Sequence, residues 1–414
     1  MLLILLVGCA NANTTSASPT ADAGGDWPMY RGDLARDGHP AEATLTAAAA
    51  KHLKAAWQVE MSGAINGTPA VAGGMVVAAS AGGVVAAYRL GTGAALWQLN
   101  RLGAISSSPT VAGGHVIVGT LTGHVIAIGL DGALLWDSLA PGVKPAIWSS
   151  PTVSGQLVIA GVGSQYGDTP LETGRIIALD LATGSRVWSL CVRECQPGDG
   201  IWSTPAIDSS GHGYIGVGNP DDGVLAFEVA TGKPLWFTSF HPDAGRDVDV
   251  GATPIVFQSS GRDAIAVGSN AGVFKVLDAA SGAVVWSRDL VSGSAVHGLL
   301  ASPGYDGNYF YVPSAGTPSG LYALAVADGK TAWTNHAGLP IYSAPAIGKG
   351  VVVFGTGDVF GDPNEGGMVA LSTQDGVVLW TRDLHSAVFS GPAISGNTVL
   401  VGDSRGDLIA YRAA

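Results

Sequence analysis

The sequence predicts an all-β fold, an eight-bladed β-propeller of four-stranded antiparallel blades, from three observations. Eight of the 11 tryptophans recur along the chain at spacings of 39 to 52 residues. A turn dipeptide ending in glycine precedes each of these tryptophans except the first. Glycine makes up 61 of the 414 residues, about twice its usual share, without a Gly-X-Y period. Many short strands joined by tight turns are therefore expected.

Each repeat reads as four strands. A repeat opens with a start signal in which proline follows a small residue, as in Thr68-Pro69. Two apolar runs follow, then a turn pair such as Thr183-Gly184, and then a strand with the tryptophan, such as Trp188. Glycine supplies the positive φ that tight hairpins need, and we expect the tryptophan to pack between neighbouring sheets. One such sheet cannot bury both of its faces, whereas a ring of sheets can.

The number of start signals gives the number of blades. One unit, residues 297–333, lacks the proline, and we place its start at His297. The eighth unit ends at Tyr411 without a fourth strand, and an unassigned strand with Trp57 lies at residues 53–61. We expect this N-terminal strand to complete the last blade and close the ring, with seven blades as the alternative. The eight start signals are at Thr68, Ser108, Ser150, Thr204, Thr253, His297, Ala344 and Gly391.

Charge and hydropathy exclude some functions. The chain has 20 Lys and Arg against 32 Asp and Glu, a net charge of −12. Nucleic-acid binding needs a basic surface, so no nucleic-acid partner is expected. No apolar run reaches 18 residues, so membrane attachment is expected only through an N-terminal lipid anchor. We expect a monomer.

The N-terminus resembles the end of a bacterial lipoprotein signal. Residues 1–9 end in Leu6-Val7-Gly8-Cys9, which resembles a lipobox with Cys9 as the lipidated residue. No basic residue precedes the apolar run, so the alternatives are an incomplete start and a chance apolar N-terminus. Residues 10–25 have a flexible-tether composition, and residues 26–414 form the propeller. An extracytoplasmic location, in the periplasm or at the cell surface, is expected.

The other two cysteines form a C-x3-C pair, Cys191 and Cys195, in a Gly/Pro-containing loop. Such a pair can close a small disulfide in an oxidising compartment, and two unpaired thiols are the alternative. No second Cys or His pair accompanies them, which argues against zinc.

The repeat resembles that of the pyrroloquinoline quinone (PQQ) dehydrogenase propellers. The resemblance is clearest in Ile177-Ala-Leu-Asp180-Leu-Ala-Thr-Gly184-Ser-Arg-Val-Trp188. Two further segments, Trp27-Pro-Met-Tyr30-Arg and Asp247-Val-Asp249-Val-Gly251-Ala-Thr-Pro254, resemble the polyvinyl alcohol dehydrogenase group. Non-catalytic propellers share the repeat, among them the lipoprotein scaffold of the outer-membrane β-barrel assembly machinery. The resemblance covers about residues 26–412 and implies the fold more strongly than the activity.

The resemblance implies roles for three residues. Trp202 matches the tryptophan on which PQQ stacks, Asn219 matches the Ca²⁺-binding asparagine, and Asp247 matches the catalytic aspartate. A quinoprotein base takes a hydroxyl proton while hydride moves to the quinone. Ca²⁺ needs several oxygen ligands, some of them anionic, and polarises the quinone carbonyl.

Other family features are missing. The position of the Ca²⁺-binding glutamate falls on Thr169, so Asp168 and Glu172 are the nearby candidates for metal ligands. Asn270 takes the place of the basic residue that contacts the quinone, although Lys275 is close in sequence. The adjacent-cysteine pair is absent. The chain also has no C-x-x-C-H motif, so no haem is expected and electrons would need an external acceptor.

The residue two before each start signal is expected to line the funnel, the opening at one end of the central channel. Several residues on this ring are aromatic. The candidates for cofactor binding are Trp148, Trp202, Tyr342 and Asn270. Long loops at residues 161–174, 313–320 and 355–367 should open on the same face. The alternative is that the aromatics fill the channel and the loop acids form a solvated rim. The ring comprises Asn66, Ser106, Trp148, Trp202, Gly251, His297, Tyr342 and Phe389, and the loop acids are Asp168, Glu172, Asp358, Asp362 and Glu365.

Two functions remain open. The first is an exported scaffold that binds a small ligand or an envelope protein at the funnel and carries a degenerate quinoprotein site. The second is a PQQ- and Ca²⁺-dependent alcohol or sugar dehydrogenase in which Asp247 is the base. The missing glutamate, cysteine pair and basic residue favour the first.

Overall fold

The computed structural model describes residues 25–192, 194–241, 247–259, 261–336 and 338–413. Eight antiparallel sheets form a closed ring, as predicted, and the seven-bladed alternative is wrong. Strand β1 (Leu53–Glu60) pairs with β33 (Asp407–Ala413), so an N-terminal strand completes the last blade. The described residues contain one helix, α1 (Ala47–Ala50), and none that could cross a membrane.

The strands follow the predicted order, and each blade runs from the channel outwards. Blade three carries an additional two-residue strand, β10, which pairs with the end of β12. The first four blades comprise β2 (Ala70–Ala72), β3 (Met75–Ala79), β4 (Val85–Arg89) and β5 (Ala95–Leu99); β6 (Thr110–Ala112), β7 (His115–Gly119), β8 (His124–Gly129) and β9 (Leu134–Leu139); β10 (Pro145–Ala146), β11 (Thr152–Ser154), β12 (Leu157–Ser164), β13 (Arg175–Asp180) and β14 (Arg186–Cys191); and β15 (Ala206–Ile207), β16 (His212–Val217), β17 (Gly223–Glu228) and β18 (Pro234–Ser239).

The second half of the ring repeats this arrangement. Blades five to eight comprise β19 (Ile255–Ser259), β20 (Arg262–Gly268), β21 (Val273–Asp278) and β22 (Val284–Asp289); β23 (Gly304–Tyr305), β24 (Tyr309–Ser314), β25 (Gly320–Ala325) and β26 (Thr331–Asn335); β27 (Ala346–Gly348), β28 (Val351–Gly357), β29 (Gly366–Ser372) and β30 (Val378–Asp383); and β31 (Ala393–Ser395), β32 (Thr398–Gly402) and β33, completed by β1.

The recurring tryptophans and turn glycines contact each other between blades. Trp188 on β14 donates its indole N–H to the carbonyl of Val229 in blade four, 3.1 Å away. A β-carbon on Gly232, whose φ is +72°, would lie 2.6 Å from the same ring. The glycine therefore permits both the turn and the packing of the neighbouring tryptophan. The same pairing joins Trp57, Trp97, Trp136, Trp236, Trp286 and Trp333 to Gly93, Gly132, Gly184, Gly282, Gly329 and Gly376.

Hydroxyl groups of the start signals link successive blades near the channel. The backbone N–H of Thr68 donates to Ser108 Oγ at 2.8 Å. Ser108, Ser150, Thr204 and Thr253 continue the series, which reaches Ser302 in blade six. Small hydroxyl residues therefore recur here because each one caps its neighbour's backbone.

The predicted start of blade six at His297 is wrong. Ser302-Pro303 is the start signal, because Ser302 takes part in the hydroxyl series and β23 begins directly after Pro303. Leu300 therefore takes the funnel position. His297 lies in a longer connection from blade five, in a turn in which its N–H donates to the carbonyl of Ser294.

Residues 27–45, the N-terminal segment, close the channel below the funnel. The segment makes hydrogen bonds to all eight blades, beginning with Trp27 on Val71 and ending with Leu45 on Gly396. Arg31 and Arg36 are fully buried in it. Arg36 donates to the carbonyls of Pro205 (3.0 Å) and Tyr30 (2.6 Å) and to Thr152 Oγ1 (2.6 Å). The funnel is thus open at one end only.

Candidate functional site

Loops between the second and third strands of each blade and the connections between blades lie at the same end of the ring. We call this end the open face. The loops and connections lie together at this end because the strands of each blade are antiparallel and the innermost strand starts there. The candidate residues of blades four and five meet on this face.

Trp202, Asn219 and Asp247 belong to one hydrogen-bonded network, whose centre is Asp249. The indole N–H of Trp202 donates to Asp249 Oδ2 at 2.7 Å, and the backbone N–H of Asn219 donates to Asp249 Oδ1 at 2.9 Å. The Asn219 amide donates to Asp247 Oδ1 at 3.1 Å. The backbone N–H of Asn270 donates to the carbonyl of Asp249 at 2.8 Å.

Gly251 allows the indole of Trp202 to lie where it does. A β-carbon at Gly251 would lie 1.7 Å from Cζ2 of the ring and about as close to two further ring atoms. The backbone at Gly251 does not need a positive φ, so the requirement for glycine is purely steric. The half-buried Trp202 ring rests on this backbone, which holds it as a flat surface.

Burial and neighbouring groups shift the pKa of Asp249. Burial raises the pKa of Asp249 to about 6, against the hydrogen bonds from Trp202 and Asn219, which lower it. The charges of Asp247 and Asp168 raise that pKa further. Asp168 therefore lies within electrostatic reach of the network, on an exposed loop of blade three.

Glu172 lies elsewhere and makes other contacts. Its carboxylate Oε1 accepts the backbone N–H groups of Val143, at 2.8 Å, and of Lys144. Its own N–H donates to Ser164 Oγ at 2.9 Å. The side chain is almost fully buried, so it anchors the connection between blades two and three. Thr169 is exposed and donates to the carbonyl of Gly167.

The position of the expected basic residue holds no cation. Asn270 is buried, donates its amide to the carbonyl of Ala295 at 3.0 Å, and leaves its side-chain oxygen without a hydrogen bond. Lys275 is directed away from this position. Its ammonium donates to the carbonyl of Phe240 at 2.7 Å and lies 4.4 Å from the Phe240 ring centre.

The remaining aromatics of the ring form two groups. Trp148 is half-buried and donates its indole N–H to the carbonyl of Ser164 at 2.8 Å. Tyr342 stacks on Phe389, with centroids 6.2 Å apart and planes 15° apart, and meets the edge of Phe360 at 5.3 Å. Its hydroxyl donates to the carbonyl of Val296 at 2.9 Å, and burial raises its pKa.

Cys191 and Cys195 form a disulfide at the end of β14. The connection that follows it reaches the network, since the N–H of Asp199 donates to the carbonyl of Asn219 at 2.7 Å. Cys9 and the tether residues before Gly25 lie outside the described residues.

Asp249 and Gly251 were not predicted as partners of Trp202. Both belong to the segment Asp247-Val-Asp249-Val-Gly251, and two signals were available there. An acid repeats two residues after the expected base. Glycine also occupies a ring position at which Trp148, Trp202, Tyr342 and Phe389 are the aromatic equivalents.

The residues fit a PQQ–Ca²⁺ pair only in part. Trp202 offers a flat surface and Asn219 an amide oxygen, but both oxygens of Asp249 and one of Glu172 already accept protein N–H groups. The described residues contain no cluster of three or more His, Cys, Asp or Glu side chains arranged for a metal ion. Asn270 supplies no positive charge for an anionic quinone.

The ring of blades and its open-face network define a propeller of the PQQ type. The family model described as outer membrane protein assembly factor BamB, PQQ_2, matches residues 41–267 and 269–414, and the chain belongs to this family.

A curated relative, the polyvinylalcohol dehydrogenase of Sphingopyxis sp. (strain 113P3), is 27% identical over 215 residues. That match covers 39% of this chain and 33% of the relative, so the chain matches about a third of the relative's length.

Solved structures share the fold at low sequence identity. The quinohemoprotein alcohol dehydrogenase of Comamonas testosteroni has a TM-score of 0.82 and 18% identity, covering 94% of this chain and 80% of its own. A europium-containing methanol dehydrogenase has a TM-score of 0.79 and 17% identity, with coverage of 94% and 98%. BamB from Moraxella catarrhalis has a TM-score of 0.67 and 19% identity, with coverage of 87% and 97%.

Proposed function

We propose that this protein is an extracytoplasmic binding propeller, in which the open face holds a ligand or an envelope protein and the quinoprotein site is degenerate. The observation that carries the proposal is the pair of contacts at the expected cationic position. Asn270 stands there and donates to the carbonyl of Ala295, while Lys275, the nearest lysine in the sequence, donates to the carbonyl of Phe240. A reduced quinone carries negative charge, which a catalytic site stabilises with positive charge or strong donors.

The location belongs to the same proposal. The family's description as an outer membrane assembly factor is consistent with an extracytoplasmic protein. A lipid on Cys9 and a monomeric state are proposed on the sequence alone.

A PQQ- and Ca²⁺-dependent dehydrogenase is the second candidate. It is favoured by the contact of Asn219 with Asp247 and by the shared partner of Asn219 and Trp202. In that case Asp247 would be the base, Asn219 and an acid near Asp168 would bind Ca²⁺, and Trp202 would stack on the quinone.

A titration separates the two candidates. Purified full-length protein is titrated with PQQ at millimolar Ca²⁺, and quinone absorbance and dye reduction are followed with a panel of alcohols and sugars. We expect no turnover. Micromolar binding with turnover that disappears in Asp247→Asn would overturn the proposal in favour of the dehydrogenase. Asp131→Asn, an exposed acid in a turn of blade two, is the matched control.

A further inference from the structure

The loops of one sector of the open face carry no charged side chain. The loops of blades five and six on this face, residues 269–272, 290–301, 314–320 and 336–342, contain no Asp, Glu, Lys or Arg. The loops of blades three, four and seven on either side carry acids such as Asp168, Asp247 and Asp358. These loops of the open face are therefore uncharged, although the chain has a net charge of −12.

A cavity of about 430 Å³ lies in this uncharged sector. Its volume falls in the range of small-molecule binding sites, roughly 300–1,000 Å³. It lies beside blade six, and none of its lining residues is Trp202, Asn219, Asp247, Asp249 or Asn270. The residues that matter for recognition are His297, Ala315, Thr317, Pro318, Ser319 and His336.

Hydrogen bonds hold the residues that line the cavity in place. The hydroxyl of Tyr322 donates to the carbonyl of Pro318 at 2.9 Å, and Nδ1 of His336 donates to the carbonyl of Ser319 at 3.0 Å. The Tyr342 hydroxyl and the Asn270 amide hold the connection that carries His297, through Val296 and Ala295 respectively. A preformed site loses little conformational entropy on binding.

Uncharged polar groups remain available on its solvent-accessible lining. Because Nδ1 of His336 donates to Ser319, Nε2 is left as an acceptor in the neutral ring. The hydroxyls of Thr317 and Ser319 form no hydrogen bond with the described residues, and each can donate and accept. The imidazole of His297 also lines the cavity, and its centre lies 6.5 Å from that of the buried Tyr342 ring.

These groups select an uncharged ligand rich in hydroxyls. A charged ligand would find no opposite charge in the loops that form this site. Hydroxyl groups match paired donors and acceptors, and the His297 ring and Pro318 offer apolar contact for the C–H groups of a sugar ring. We propose that this cavity binds an uncharged saccharide, at a site separate from the Trp202 network.

The test compares disaccharides of similar size but different charge. Full-length protein at pH 7 and 0.15 M salt is titrated by calorimetry with maltose, with dianionic digalacturonate and with the cationic glucosamine dimer. We expect maltose to bind at least about tenfold more tightly than either charged disaccharide. Equal affinities for the three, or no binding of maltose at 50 mM or below, would overturn the proposal.

Variants locate the site. Ser319→Trp fills the cavity and His336→Ala removes its acceptor, and each should weaken maltose binding about tenfold or more. Asn364→Ala, in the charged cavity of about 390 Å³ on blade seven, is the matched control and should change the affinity less than twofold. Thermal unfolding checks that each variant is folded. Unchanged affinity in both cavity variants contradicts the proposal.

The variant Trp202→Ala tests whether the saccharide site is separate from the Trp202 network. It should leave maltose binding unchanged, because Trp202 contacts Asp249 and Gly251 rather than this cavity. Loss of maltose binding in Trp202→Ala would place the saccharide at the central network and refute a separate site.

Discussion

At the scale of single residues, a missing β-carbon sets the position of the main aromatic side chain of the candidate site. Trp202 lies across Gly251 and is fixed at its N–H edge by Asp249. The resemblance to quinoproteins pointed to Trp202, Asn219 and Asp247, and the structure puts all three in one network. The resemblance could not show that Asp249 joins them, because a hydrogen bond between blades depends on distances that the linear sequence does not contain.

Gly251→Ala should displace the Trp202 indole. We expect a loss of about 1–3 kcal/mol in the free energy of unfolding, the usual cost of overpacking, and a change in near-ultraviolet circular dichroism. Gly200→Ala is the control, since its β-carbon would lie 3.7 Å from the nearest atom, an ordinary contact. Equal stability and identical spectra for the two variants would contradict the steric role of Gly251.

Asp249 should make stability depend on pH in a defined direction. Burial raises its pKa from 3.8 to about 6, so the folded protein holds this proton more tightly than the unfolded chain. Its contribution to stability is therefore greatest below about pH 4, falls as the pH rises to about 6, and is then constant. Between about pH 4 and pH 6, the free energy of unfolding of Asp249→Asn should therefore rise by roughly 1–2 kcal/mol relative to that of the wild type, since one pKa unit corresponds to about 1.4 kcal/mol.

Urea unfolding at pH 4, 5, 6 and 7 measures this difference. Asp37→Asn serves as a comparison. Burial and the charge of Asp33 raise the pKa of Asp37 to about 7, so the free energy of unfolding of this variant relative to the wild type should keep rising up to that pH. A difference between wild type and Asp249→Asn that stays constant with pH would refute the argument.

At the scale of the blade, the repeat can be explained by one contact. Seven of the eight outer-strand tryptophans pack on the turn glycine of the next blade, so the two residue types recur together, while Trp380 packs against Tyr411. This is why the number of blades could be predicted. The start of blade six could not be placed by unit length because the connection from blade five is longer than expected, although Ser302-Pro303 was visible in the sequence.

Trp188 and Gly232 should be energetically coupled. Gly232→Ala combines a positive φ with a clash against the Trp188 ring and should cost about 2–3 kcal/mol. Removing the ring first, in Trp188→Ala, should reduce that cost by roughly 1 kcal/mol, which a double-mutant cycle measures. Gly74→Ala has a similar φ of +78° and nothing within 4 Å, so it isolates the backbone strain. Additive effects for Trp188 and Gly232 would argue against the contact.

At the scale of the whole molecule, the N-terminal segment joins all the blades. Arg31 and Arg36 lie fully buried on the axis and bond mainly to backbone carbonyls. Nothing in the hydropathy pattern predicted this, because arginine is ordinarily found at the surface. The β-strand repeat determined the ring, but the route of an irregular segment through it depends on tertiary contacts alone.

Arg36→Met should destabilise the entire ring. The change leaves acceptors on Pro205, Tyr30 and Thr152 without their donor, and we expect a loss of roughly 2–4 kcal/mol. Arg89→Met, at an exposed position of blade one, should change stability by less than about 0.5 kcal/mol. Guanidinium unfolding measures both, and similar values for the two would contradict a role for Arg36 on the axis.

The pairing of β1 with β33 also has a consequence for the order in which the protein can mature. During synthesis residues 53–60 leave the ribosome before residues 407–413, with which they pair. The N-terminal segment likewise waits for partners in every blade, the last of them at Gly396. The nascent chain therefore cannot close its ring before residues 407–413 have been synthesised, and a product truncated within the last blade would leave both β1 and the N-terminal segment without their final partners.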